Sequence, residues 1–134
     1  MPEEQKNKTE TLLTKAEINL EVANNIKSLH IHDEAYLGMV GYHLQQAVEL
    51  ALKFQLEMNG IEYPKTHDIT QLILICKASE TDIYVSEYID DHSEMFTEWE
   101  AKSRYVLNYR LEEKKTDKAY SEVLDYIKRI KEEY

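Results

Sequence analysis

Along most of this chain apolar residues recur every three or four positions with charged and amide residues between them, the spacing of one buried helix face rather than the alternation of a strand. Leu12, Leu13, Ala16, Leu20, Ala23 and Ile26 predict a first helix over Thr9 to Ser28. A connector, His30 to Glu34, follows, and Asp33 is its candidate N-cap because a carboxylate there accepts from otherwise unpaired amides. A longer stripe of Leu37, Val40, Leu44, Ala47, Val48, Ala51, Leu52, Gln55 and Met58 predicts a second helix from Glu34 to Asn59, ended by Gly60. Gly38 and Gly41 lie within it, and close approach of another helix is the expected compensation for their poor helix propensity. Pro64 holds Tyr63 extended. The third helix is expected to start near Thr66 or Asp68, with Asp68 and Gln71 as a capping pair ahead of Ile69, Leu72, Ile73, Ile75 and Cys76, and to fade by Ser79. Val85, Ile89, His92, Phe96, Trp99, Ser103 and Val106 predict a fourth, Val85 to Val106. After a polar break, Leu111 to Thr116, the face Tyr120, Val123, Leu124, Ile127 and Ile130 predicts a fifth from Asp117 to Glu133.

Four to five helices with short connections imply an all-α, up-and-down antiparallel bundle, and 134 residues fit a single domain spanning 1–134. A chain of that size buries roughly two-thirds of its unfolded surface, enough for one core without staples. Cys76, the one cysteine, rules out an internal disulfide or a cysteine-based zinc cluster; in its apolar run it reads as a buried thiol. The N-terminus has no apolar signal region and no segment reaches the roughly 20 apolar residues of a membrane span, so a soluble cytoplasmic protein is expected. With 16 basic against 26 acidic side chains the formal charge is -10, and the surface as a whole repels phosphate backbones. Contact with a nucleic acid therefore requires a local positive pocket or charge from a partner.

The most specific stretch runs from Tyr42 to Ile69. It joins His43, Gln45, Gln46, Ala47, Glu49, Ala51, Leu52 and Lys53 on the second helix to the turn Tyr63, Pro64, Lys65, Thr66, His67, Asp68 and Ile69. Together with the helix order and the Ser103, Arg104, Tyr105 group near the end of the fourth helix, this pattern resembles HEPN domains, small helical bundles associated with nucleotides and RNA, over nearly the whole chain. The resemblance implies an arginine late in the fourth helix followed four to six residues later by a histidine. In the family's RNases these residues from two subunits form a joint site across a symmetric dimer. Arg104 matches the arginine, but Tyr105, Val106, Leu107, Asn108, Tyr109, Arg110 and Leu111 follow it, and no histidine occurs after His92. A tyrosine, with an ordinary pKa of about 10, is a poor general base near neutral pH.

The other histidines divide between ordinary and chemical roles. His43 lies beside the apolar stripe of the second helix, as an interior imidazole or as a proton carrier. His67 stands next to Asp68, where Thr66, His67 and Asp68 either cap the third helix or present an imidazole oriented by the carboxylate. His30 and His32 flank Ile31 without identifiable further ligands, so no metal or cofactor is expected. His92 shares a face with Trp99, as core or interface. Glu112, Glu113, Lys114 and Lys115 read as a solvated loop, and Lys128, Arg129 and Lys131 complement the last helix's C-terminal dipole.

Lys53, Lys65, His67, Arg104 and Tyr109 form the candidate ligand-binding set, with Arg104, His67 and His43 as candidate catalytic groups and Arg110 as a further cation. Ten tyrosines against two phenylalanines suit half-wet packing and subunit contacts, or base stacking; Tyr36, Tyr42, Tyr88, Tyr105 and Tyr109 fall near helix faces or ends. Three functions compete. The first is a non-catalytic, homodimeric HEPN-like module for a nucleotide or RNA. The resemblance pairs it with a nucleotidyltransferase in a toxin–antitoxin system, with Tyr109 as a candidate AMP acceptor. The second is a metal-independent ribonuclease with substituted residues, and the third a helical oligomerisation or adaptor protein without a ligand.

Overall fold

The computed structural model describes residues 10–31, 33–107 and 109–134, residues 30 and 31 by their backbone, and holds no strand among them. Its α-helices are α1 (Leu12–Lys27), α2 (Tyr36–Met58), α3 (Ile69–Ala78), α4 (Glu87–Asp91), α5 (Ser93–Tyr105) and α6 (Glu113–Glu133), with a 3₁₀ turn, Ser28–Ile31, after α1. The expected helix start at Thr9, His32 and the side chain of His30 lie outside the described residues.

Local chemistry sets the ends. Thr11 caps α1 in a reciprocal box with Thr14. Asp33 does not cap α2: its carboxylate accepts from the Ala35 N–H in a turn just ahead of the helix, Ala35 precedes the helix without a side-chain cap, and α2 starts at Tyr36, two residues later than expected. Gly60, at φ 67°, takes the left-handed turn after α2. Asp68 caps α3 as expected, accepting from the Gln71 N–H. Its own N–H goes to the Thr66 hydroxyl, which completes the turn instead of the Gln71 side chain.

Two expectations are corrected. The single fourth helix is two, because Ser86 caps Ile89 so that α4 starts at Glu87, and His92, at φ -112° and ψ 20°, breaks the run before α5. The hydrophobic spacing continues across a one-residue break, which is why periodicity reads through it. The polar break Leu111 to Thr116 is shorter than expected, because α6 already begins at Glu113. Glu113 and Lys114 are good helix formers with solvated side chains, so a polar helix face there looks like a loop.

Residue pairs across the bundle give the directions. Lys27 pairs with Asp117 at 2.8 Å and Lys131 with Glu17 at 3.0 Å, so α1 and α6 run antiparallel. Gly41 faces Trp99 and Gly38 faces Ser103, so α2 and α5 do too. Gln55 donates to Tyr126 and Asn59 to Tyr134, so α2 and α6 run parallel across the middle. The result is an up-and-down arrangement of the four longer helices with α2 at the centre, packed on α1, α5, α6 and α3. The core comprises Val40, Leu44, Val48 and Leu52 of α2 with Ala16 and Leu20 of α1, Phe96 and Trp99 of α5, and Val123, Ile127 and Ile130 of α6. Met58 and Val106, read as core from their spacing, are 56% and 48% exposed, since each sits past the end of its buried stripe. A methyl group at Gly41 would come within 2.5 Å of Leu111 Cδ1 and 3.1 Å of the Trp99 ring, the close approach expected there. At Gly38 it would meet ordinary contacts at 3.8 Å and beyond.

Candidate functional site

Gln45, Glu49 and Lys53 follow one another at four-residue steps, which stacks them on one face of α2 opposite the Tyr63 to Asp68 turn. Glu49 is the hub and is buried. Its Oε1 accepts from Gln45 Nε2 at 3.1 Å and from His67 Nδ1 at 2.9 Å, and its Oε2 accepts from Lys53 Nζ at 2.9 Å. Gln45 Nε2 also donates to the His67 carbonyl at 2.9 Å, so side chain and backbone of the turn are both held. The Lys53 ammonium lies 5.6 Å from the Tyr63 ring, and the Tyr63 hydroxyl donates to Glu57. Burial, then Glu57, pushes the Tyr63 phenol up to about 12.

The carboxylate that orients His67 is therefore Glu49 and not Asp68, which is occupied in capping α3. Because Nδ1 faces the carboxylate it carries the proton, and the largely exposed ring leaves Nε2 toward solvent. A carboxylate–imidazole pair of this kind can accept a proton. Lys65 is exposed in the same turn.

Arg104 sits at the end of α5. Its Nη2 lies 2.8 Å from Oε2 of the buried Glu100, four residues earlier. The guanidinium is 4.8 Å from the ring of Tyr105 and 5.8 Å from that of Tyr42. Tyr105 is 72% exposed, so one face of this cation–aromatic group is open. Tyr42 in turn meets the His43 ring edge-on at 5.1 Å. The His43 Nδ1–H donates to Asn19 Oδ1 at 2.9 Å, tying α2 to α1, and burial lowers its pKa. The Tyr109 hydroxyl donates to Glu98 Oε1 at 3.4 Å, and burial, then Glu98, raises its pKa. Arg110 is exposed and donates to the Tyr109 carbonyl.

The sequence-predicted residues thus separate into two groups. Lys53 and His67 share Glu49, with Lys65 in the same turn; Arg104 and Tyr109 hold separate α5 carboxylates, Glu100 and Glu98. Their anchors on α2, Glu49 and Tyr42, are seven residues or about 10 Å apart along the axis. The imidazoles of His43 and His67 bond to Asn19 and Glu49, and neither bonds to Arg104. Among the described residues no group of three or more His, Cys, Asp or Glu side chains is placed to hold a metal ion, and no helix is long and apolar enough to cross a membrane.

Glu49 as the hub, the Glu100 partner of Arg104 and the Tyr42 ring beneath it are not evident from motif matching. The four-residue steps Gln45–Glu49–Lys53 and Glu100–Arg104 were the available signal.

The family model described as HEPN domain matches residues 9–134. No curated protein and no solved structure matches the chain.

Proposed function

This chain belongs to the HEPN domain family, and we propose that within it the protein is a non-catalytic, homodimeric module that engages a nucleotide or RNA through the Arg104 end of the bundle. The observation that carries this reading is the engagement of Arg104 with Glu100, Tyr105 and Tyr42 while both candidate imidazoles are bonded elsewhere. A guanidinium beside an exposed phenol ring offers a phosphate contact and a stacking surface, but no group to move a proton. Tyr36, Met39, Tyr105, Val106 and Leu107 are exposed where α2 begins and α5 ends, which supports subunit contact at that end. A nucleotidyltransferase partner, with Tyr109 as AMP acceptor in a toxin–antitoxin pair, extends the same reading.

A second reading, a ribonuclease using His67, is favoured only by the Glu49–His67 pair. Light scattering of the purified chain tests the dimer. Thermal stabilisation by AMP or ATP, lost in Arg104→Ala and retained in His67→Ala, tests the binding reading; RNA cleavage without metal that disappears in His67→Ala would establish the second instead.

A further inference from the structure

Among the histidine side chains the structure describes, His67 alone bonds to a carboxylate. His43 Nδ1–H goes to the Asn19 amide oxygen at 2.9 Å and His92 Nδ1–H to the Tyr88 carbonyl at 2.8 Å. The His67 residue is fixed from two directions, since Glu49 Oε1 holds its Nδ1–H at 2.9 Å while Gln45 Nε2 holds its own carbonyl at 2.9 Å. Its side chain is 59% exposed and that of Glu49 5%, so a solvent-facing Nε2 is backed by a carboxylate that water screens poorly. Lys53 takes the other oxygen of Glu49 and does not compete for the ring proton.

Such a ring is prepared to act as a nucleophile. With the proton on Nδ1, Nε2 carries an in-plane lone pair and needs no base to free it. Forming a bond there makes the ring cationic, and the buried Glu49 carboxylate neutralises that charge through the same hydrogen bond, which the neutral oxygens facing His43 and His92 cannot do. Among the described residues no hydroxyl or thiol is hydrogen-bonded to Nε2, so the ring is not poised as the base of a neighbouring nucleophile. Lys65, exposed two residues earlier, places a further cation in the same turn for the oxygens of an anionic electrophile.

We infer that His67 Nε2 is a modification site that accepts the phosphoryl group of a small acyl phosphate. The Nε2 lone pair forms a bond to phosphorus as the bridging P–O bond to the acyl group breaks. That electron pair leaves on a carboxylate, which departs without a proton, and Nδ1–H stays shared with Glu49. The phosphoryl group adds about two negative charges to the turn, and its transfer to water returns the free imidazole, so the mark is reversible. The site does not involve Arg104, which is held by Glu100 on α5.

The test incubates the full chain with acetyl phosphate. Intact mass follows the gain of a phosphoryl group, peptide mapping at alkaline pH finds the residue, and long-range proton–nitrogen correlation spectra of the imidazoles find the ring atom. A single phosphoryl group on His67 Nε2 is expected, forming at least about tenfold faster than on free N-acetylhistidine or on any other histidine of the chain, the scale of one charge-assisted hydrogen bond in the transition state. His67→Ala should abolish the reaction and Arg104→Ala should leave its rate unchanged. Glu49→Gln keeps an acceptor for Nδ1–H but removes the charge, so it is expected to slow the reaction about tenfold while the spectra still place the proton on Nδ1. Incorporation no faster than on N-acetylhistidine, phosphoryl groups spread over the other histidines or found on Nδ1, or a Glu49→Gln rate equal to the parent's would overturn the inference.

Discussion

Removing the Glu49 carboxylate probes the clasp between α2 and the Tyr63 to Asp68 turn. Glu49→Ala leaves Lys53, whose side chain is 14% exposed, without its carboxylate, and takes away the acceptor of His67 Nδ1 and one of two acceptors of Gln45 Nε2. Breaking a buried pair from one side costs about 3–5 kcal/mol. The Lys53 stem can carry its ammonium toward water, and His67 is already mostly solvated, which together lower the expected loss to about 2–3 kcal/mol. At about 2 cal/mol/K of unfolding entropy per residue, that corresponds to a fall in Tm of about 9 °C. The double variant Glu49→Leu, Lys53→Met replaces both charges by apolar groups of similar size and is expected within about 1 kcal/mol of the parent. Thermal melts followed by circular dichroism measure both, and hydrogen exchange at the Asp68 and Ile69 amides reports the turn itself, where exchange should quicken in Glu49→Ala. A single variant melting within about 2 °C of the parent, or a double variant less stable than the single, would show that the Glu49 carboxylate does not hold the turn.

The two glycines facing α5 should respond in opposite ways. Gly38→Ala has room and gains helix propensity, so stability should rise by up to about 1 kcal/mol, whereas Gly41→Ala presses on Leu111 and the Trp99 ring and should fall at least about 1 kcal/mol below it in urea melts. Burial holds the pKa of His43 below its ordinary 6.5, so the fold favours the neutral ring. Its contribution to stability is complete above about pH 6.5 and is lost as pH falls through the folded pKa; Tm should therefore drop more between pH 7.5 and pH 5 in the parent than in His43→Gln, and equal drops would contradict this.

How much of this was legible in the sequence depends on what each feature rests on. The buried stripes of α1, α2 and α6 follow from three- and four-residue spacing, and the Asp68 cap from a carboxylate three residues ahead of an amide it can reach. The break at His92 was hidden because a one-residue change of backbone leaves the face of Ile89 and Phe96 in register. The early start of α6 was hidden because its first turns are solvated. The role of Glu49 depends on a turn eighteen residues away folding back onto its helix, and spacing within a helix carries no such distance. Likewise, His92 was read as sharing a face with Trp99, and its stack on the Tyr88 ring across the helix break was not evident from spacing.

We propose that Arg104 holds phosphate without a proton-moving partner. Incubation of the purified chain with single-stranded RNA in EDTA, in parallel with nucleotide-dependent thermal shifts for the parent and Arg104→Ala, decides it. Intact RNA after prolonged incubation and a nucleotide shift that Arg104→Ala abolishes are the expected results. Metal-free cleavage that Arg104→Ala abolishes would contradict it.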